Sequence, residues 1–225
     1  NNPQVGKKFK LIATAFAEIT FMKNLKFRTQ GGVDYTNSTT FMRSFPSFTG
    51  NNGSGAAGRA AYTSTNLTIT NTLTYNFNVN SAHEFNFLIG QAGVNYTSEG
   101  FQAISVGQNN DFLTDLSSGT RVSSWADSNS SYSYLSFFGR GEYNYANRYY
   151  ADFSVRADAS SRFGKGSRWA VVWSVGLMWY APNESFLRDK TWLTDARLTF
   201  STGTSGNSSM PNYDHLALVG GGVNY

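Results

Sequence analysis

Hydrophobic and polar positions alternate with period two along much of this chain. In Leu25–Tyr35 the odd positions are Leu25, Phe27, Thr29, Gly31, Val33 and Tyr35, against Lys26, Arg28, Gln30, Gly32 and Asp34. In Asn66–Asn80 the odd positions are Leu67, Ile69, Asn71, Leu73, Tyr75, Phe77 and Val79, and every even position is Asn or Thr. Tyr150–Asp158 repeats the pattern, with Ala151, Phe153, Val155 and Ala157 against Asp152, Ser154, Arg156 and Asp158. Successive strand side chains face opposite ways, so each segment predicts a strand with one apolar and one polar face. Phe9–Phe21, Glu84–Tyr96, Leu135–Tyr145, Arg168–Trp179 and Asp195–Thr202 read the same way, less cleanly. The pattern predicts an all-β, antiparallel protein of about eight strands and no long helix.

Strand length narrows the class. Several segments run 10–14 residues, against about 5–6 in globular proteins. Ten residues reach roughly 33 Å, or roughly 23 Å across when tilted about 45°. That matches the apolar band of a transmembrane barrel. Trp169 and Trp179 lie ten residues apart on one face, and Tyr35, Tyr75, Tyr143 and Tyr145 fall near strand ends. Aromatics at both ends of an outward face predict interfacial girdles. A β-sandwich with aromatic core positions is the alternative, and strand length and girdles both oppose it.

The connections alternate as well. Short turns are expected near Lys23–Asn24, Asn80–His83 and Ala146–Arg148. Long polar links are expected over Thr36–Thr65 and Thr97–Ser131, with a shorter one over Ala159–Ser167. Short turns at one end and long loops at the other are the sidedness of an outer-membrane barrel. Ala181–Leu187 is too long for a tight turn and predicts a helical turn capped by Asn183.

Composition agrees. Charged residues are only 14% and aromatics 16% of the 225 residues, which excludes a disordered chain. Mean hydropathy is −0.36, and no run of about 18 apolar residues is present. The chain has no cysteine and a formal charge of +4, so disulfide and thiolate chemistry are excluded and the charge says little about partners. Asn1–Gln4 has no charged or apolar leader region, so an exported protein is expected here as a mature or internal piece.

In lipid, an open sheet edge leaves backbone groups unpaired at several kcal/mol each. The sheet must close on itself or continue in further chain. Eight strands suffice for a narrow barrel filled by side chains, and the polar faces hold Lys26, Arg28, Asp34, Arg140, Glu142, Asp152, Arg156 and Asp158 as ion-pair material. Gly221–Tyr225 reads as an interrupted strand.

Few motifs suggest chemistry. Gly53-Ser54-Gly55-Ala56-Ala57-Gly58 matches G-x-G-x-x-G, but no strand precedes it, no helix follows it and no acid lies about 20 residues on, so a flexible loop is expected. His83 and His215 cannot form a zinc cluster without cysteine; both are expected to be solvated. Asn109, Asn110, Asp111 and Asp115 offer oxygens to a cation but miss the EF-hand spacing. No G-x-S-x-G occurs. No enzyme activity and no cofactor or metal is expected. Arg156, Asp158 and Arg162 fall at the loop end of a strand, the first two inward by parity. They predict a salt-bridge network or a contact surface, as do Arg140, Glu142 and Asp152.

From Ser133 to Asn207 the chain resembles the SusC/RagA family of TonB-linked outer-membrane transporters, typical of Bacteroidetes. The residues that carry this are Leu135-Ser136-Phe137-Phe138-Gly139-Arg140, Tyr143-Asn144-Tyr145, Arg148-Tyr149 and Ser154–Gly164. They continue in Arg168-Trp169, Trp173–Gly176, Glu184–Leu187, Trp192–Leu198 and Gly203–Asn207. Leu25–Arg28 and Asn71–Tyr75 match more weakly, in the right order. Ala159 departs from a usual Gly, and a Pro common before Ser174-Val175 is missing. The resemblance implies part of a 22-stranded barrel, with the plug domain and remaining strands outside this chain. It implies TonB-driven nutrient uptake of oligosaccharides or peptides, a SusD-like surface lipoprotein as lid and TonB engaged through the plug. It further implies a bacterial outer-membrane location in lipid or lipopolysaccharide, with no nucleic acid. Arg140, Glu142, Asp152, Arg156, Asp158 and Arg162 would face lumen, plug or substrate. A self-contained small barrel for surface binding or adhesion is the alternative.

Overall fold

The structure, a computed structural model, describes residues 3–163, 169–187 and 192–206. Eight strands form one sheet: β1 (Gln4–Met22), β2 (Leu25–Ser44), β3 (Gly55–Asn80), β4 (His83–Gln108), β5 (Arg121–Tyr145), β6 (Tyr149–Ser160), β7 (Trp169–Tyr180) and β8 (Arg197–Gly203). The order in the sheet is the order in the chain, so every connection is a hairpin. The pairs from β5 to β8 are antiparallel. All eight expected segments are strands, and the described residues contain no α-helix.

Two expectations about connections are corrected. Thr36–Thr65 and Thr97–Ser131 are mostly strand: β2 runs to Ser44 and β3 begins at Gly55, while β4 runs to Gln108 and β5 begins at Arg121. Ser, Thr and Asn on both faces of these arms erase the apolar alternation, yet ladder hydrogen bonds do not depend on it. The G-x-G-x-x-G stretch is split likewise. Asn52 and Gly53 take positive φ of 49° and 77° in the turn, and Gly55–Gly58 already belong to β3. The third correction concerns Ala181–Asn183, a single 3-10 turn whose N-cap is Tyr180. Asn183 does not cap it; its Nδ2 donates to the Asn147 carbonyl at 2.8 Å.

The chain divides into two compact units. One comprises residues 1–14, 32–67 and 95–132, the other 15–31, 68–94 and 133–225. The first holds the long connections 45–54 and 109–120. The second holds the tight turns at 23–24, 81–82 and 146–148. At 146–147 both Ala146 and Asn147 have positive φ, 52° and 53°, the backbone of a type I′ turn, closed by the Arg148 amide on the Tyr145 carbonyl at 2.9 Å.

Register in the second unit aligns the apolar positions into rows. Leu135, Ala159 and Trp169 lie side by side, then Phe137, Ala157 and Val171, then Gly139, Val155 and Trp173. Gly141, Phe153, Val175 and Thr202 come next, then Tyr143, Ala151, Leu177 and Phe200, and Tyr145, Tyr149, Trp179 and Leu198 end the face. The opposite face carries Ser136 and Asp158, Arg140 and Ser154, Glu142 and Asp152. Large apolar side chains on the first face stay open: Trp169 is 52% exposed and Phe153 50%. The only buried hydrophobic residues among those described are Ala57, Ala60 and Ala181. A Phe or Leu side chain removed from water contributes about 1.5–3 kcal/mol, and here that contribution is not made inside the sheet. The apolar face requires an apolar medium outside it.

Val155 sits near the centre of this belt. Val155→Arg is expected to cost about 2–4 kcal/mol in a urea titration of the full-length protein folded in lipid vesicles. An unchanged midpoint would contradict a lipid-facing Val155.

Candidate functional site

The polar face of the second unit gathers the charged residues into two groups. Arg140 and Glu142 are two apart on β5 and so share a face; Arg140 Nη2 meets Glu142 Oε1 at 2.7 Å. Asn86 Nδ2 donates to the other carboxylate oxygen at 2.9 Å. Asp152 is the ladder partner of Glu142. Its carboxylate lies over Gly176, where a Cβ would clash with Oδ1, so the glycine makes room for the charge. With Glu84, Asn76 and Asn78 these residues line a cleft of about 490 Å³. One guanidinium among three carboxylates leaves the cleft electronegative.

The second group lies further along the same face. Arg156 Nε donates to both oxygens of Asp158, at 2.7 and 2.9 Å, and Nη2 to Ser136 Oγ at 2.9 Å. The guanidinium lies 5.5 Å over the Phe138 ring. Arg162, in the turn after β6, donates from Nη1 to the Tyr134 hydroxyl at 3.1 Å and stacks on that ring at 5.7 Å. Tyr134, Phe163, Arg156 and Asp158 rim a hollow of about 320 Å³ floored by Ala170 and Val172. The six expected residues thus form two stations, not one site. Each offers fixed donors and acceptors, and no group of three metal-ligating side chains occurs among the described residues.

Most of the expected girdle residues enter ring contacts. Tyr143 packs on Phe85 at 4.9 Å, and Phe85 on Phe77 at 4.8 Å, which in turn meets Tyr75 at 5.3 Å. Tyr145 and Tyr149 stack at 6.2 Å, and Trp169 stacks on Phe137 at 6.1 Å. In the first unit Tyr35 meets Phe9 at 6.4 Å. His83 corrects its expectation of a solvated ring. The turn is only residues 81–82, so His83 opens β4; its Nδ1 lies 2.7 Å from the Tyr143 hydroxyl and its ring 4.8 Å from Tyr145. His215 lies outside the described residues. The two acids offered to a cation are engaged elsewhere. Asp111 accepts from the Ser47 backbone and hydroxyl, which hold its carboxyl below the usual carboxylate range, and Asp115 pairs with Arg59 at 3.2 Å.

Sequence reasoning missed a hub at Glu184, which it held only as part of a family motif. Glu184 is 6% exposed and accepts from the Tyr149 hydroxyl, from Trp179 Nε1 at 3.0 Å and from Arg148 Nη1 at 3.2 Å. The three donors come from the start of β6, the end of β7 and the preceding turn. They pin the β7–β8 connection to the tight-turn end. Trp179 therefore holds a buried carboxylate as well as a girdle position. A lone acid just after an apolar strand was the available signal; two of its three partners, Tyr149 and Arg148, 35 and 36 residues away, were not.

The Tyr149 hydroxyl, then Trp179 and Arg148, hold the Glu184 carboxyl below the ordinary glutamate value. A depressed acid stabilises the fold above its unfolded-state pKa and stops doing so as pH falls through the folded one. Glu184→Gln is expected to lower the melting temperature at pH 7. The gap to wild type stays constant down to the ordinary glutamate range and narrows below it. A gap independent of pH would contradict the ionised hub.

Residues 10–224 match the family described as TonB dependent receptor-like, beta-barrel. TonB-dependent receptor P3 of Formosa agariphila is 31% identical over 91% of this chain and 21% of its own length. TonB-dependent receptor SusC of Bacteroides thetaiotaomicron is 28% identical over 84% and 18%. The solved structure of the RagAB peptide transporter superposes with a TM-score of 0.92 at 36% identity, covering 96% of this chain and 24% of that one. The ferric preacinetobactin receptor BauA of Acinetobacter baumannii, at 14% identity and a TM-score of 0.51, shares the fold. The chain spans about a fifth of the length of the curated relatives it matches. A two-faced antiparallel sheet, an apolar belt between aromatic rows and these matches place the chain in the TonB-dependent receptor β-barrel family, within its SusC/RagA group.

Proposed function

We propose that this chain forms part of the wall of a 22-stranded outer-membrane barrel that imports oligosaccharides or peptides with energy from TonB. The observation that carries the reading is the division of the sheet into an open apolar face and a face of anchored charges. An apolar belt bounded by Tyr and Trp seats in a bilayer, while fixed Arg, Asp and Glu suit a watery lumen. The sheet order begins at β1 and ends at β8 without pairing them among the described residues. Unpaired edges are costly in lipid, which supports continuation into further strands and not a self-contained small barrel.

In this reading a plug domain elsewhere in the protein fills the lumen and engages TonB. The Arg140–Glu142–Asp152 cleft and the Arg156–Asp158 pair, with Arg162, face plug or substrate. The long hairpin arms of the first unit meet the substrate or a SusD-like lipoprotein lid. The similar solved structures include the RagAB peptide transporter and importer, which supports uptake of chains of several units. Deleting the gene is expected to abolish uptake of the labelled oligosaccharide or peptide mixture that supports growth, and a protonophore to stop it in wild-type cells. Uptake that survives both treatments would overturn the reading.

A further inference from the structure

The outward face of the second unit has a feature that lipid seating does not need. Asn71 and Gln91 stand on it between apolar neighbours, and Asn71 Nδ2 donates to Gln91 Oε1 at 2.9 Å. They lie in a hollow of about 580 Å³. Leu73, Ile89, Phe137 and Val155 wall it, and Gly139 and Ala157 give it depth by lacking long side chains. The Ala157 and Gly139 rows are the first and second below the Trp169 row. The hollow therefore begins roughly 7–13 Å along the strand from the aromatic girdle, or roughly 5–9 Å into the hydrocarbon at a tilt of about 45°. The tight turns 23–24, 81–82 and 146–148 close the strand ends opposite the Trp169 row, so by the sidedness of such barrels this is the outer-leaflet half.

A carboxamide pair has more hydrogen-bonding capacity than one mutual bond uses. The Asn71 Oδ1 acceptor and the Gln91 Nε2 donors have no partner among the described residues, and neither is sealed inside the protein. Hydrocarbon offers them nothing, and each unsatisfied polar group there is costly. A plain acyl chain fills the hollow but leaves them bare. A hydroxyl both donates and accepts, so one hydroxyl serves Asn71 Oδ1 and Gln91 Nε2 together. The depth matches the first few carbons of an outer-leaflet acyl chain, where a hydroxyl beside the chain's carbonyl end would lie.

We infer that this hollow is a binding site for an outer-leaflet lipid whose acyl chain carries a hydroxyl near its carbonyl end. The inference rests on the apolar face lying in lipid, not on which nutrient is imported. The test uses the full-length protein in detergent and two phosphatidylethanolamines identical except for a 3-hydroxyl on the acyl chains. Retained lipid is counted by native mass spectrometry. The hydroxylated lipid is expected to be retained about three- to tenfold more strongly, as one added pair of hydrogen bonds gives. Asn71→Leu with Gln91→Leu is expected to abolish that preference while the protein keeps its heat-modifiable folded band. Gly139→Leu, which fills the hollow, is expected to weaken retention of both lipids. Equal retention of the two lipids by wild-type protein, which needs no variant to fold, would overturn the inference. So would a preference that survives in the double variant.

Discussion

A backbone amide in hydrocarbon has no water to bond, so every N–H and C=O within the bilayer must find a partner in the chain. The uninterrupted ladder from β1 to β8 answers this constraint, and most other features follow from it. Neighbouring strands must be consecutive and joined by hairpins, because a crossover would expose unpaired backbone. Tight turns such as Ala146–Asn147 must adopt left-handed φ to keep the pairs in register. Once register is fixed, side chains fall into rows, and the rows decide which face meets lipid.

The two faces then obey different physics. On the apolar face no core is built; three buried alanines are all the described residues contribute. On the polar face charge is held by the same period of two that orders the ladder. Arg140 with Glu142 and Arg156 with Asp158 are pairs two residues apart on one strand, and Arg197 with Asp195 repeats the spacing at the β8 end. Such pairs need no distant partner, so these segments bring their own compensated charge to the polar face, whereas Lys10–Asp34 and Lys26–Glu18 pair across β1 and β2. Exposed pairs of this kind contribute little to stability. Their value lies in fixing where donors and acceptors stand.

This division explains what was legible in the sequence. Strands that border lipid announce themselves, because one face must be apolar: Asn66–Asn80 shows the period without exception on its polar side. The R-x-E and R-x-D pairs were legible for the same reason. The hairpin arms were not, since Thr36–Ser44 and Thr97–Gln108 carry polar side chains on both faces and read as loop. The Glu184 hub was hidden because its donors, Arg148 and Tyr149, are 35 or more residues away and are brought near only by the β6–β7 register. His83 was misplaced because one residue separates a turn from a strand, and the aromatic row of Tyr143 and Tyr145 captures its ring.

The most direct measurement is a cysteine scan through β6 in the full-length protein in native outer membranes, with a water-soluble maleimide as probe. Cysteines replacing Asp152, Ser154, Arg156 and Asp158 are predicted to react, and those replacing Ala151, Phe153, Val155 and Ala157 to be protected. Labelling without alternation, or with the opposite phase, would contradict a wall with one face in lipid and one in a watery lumen.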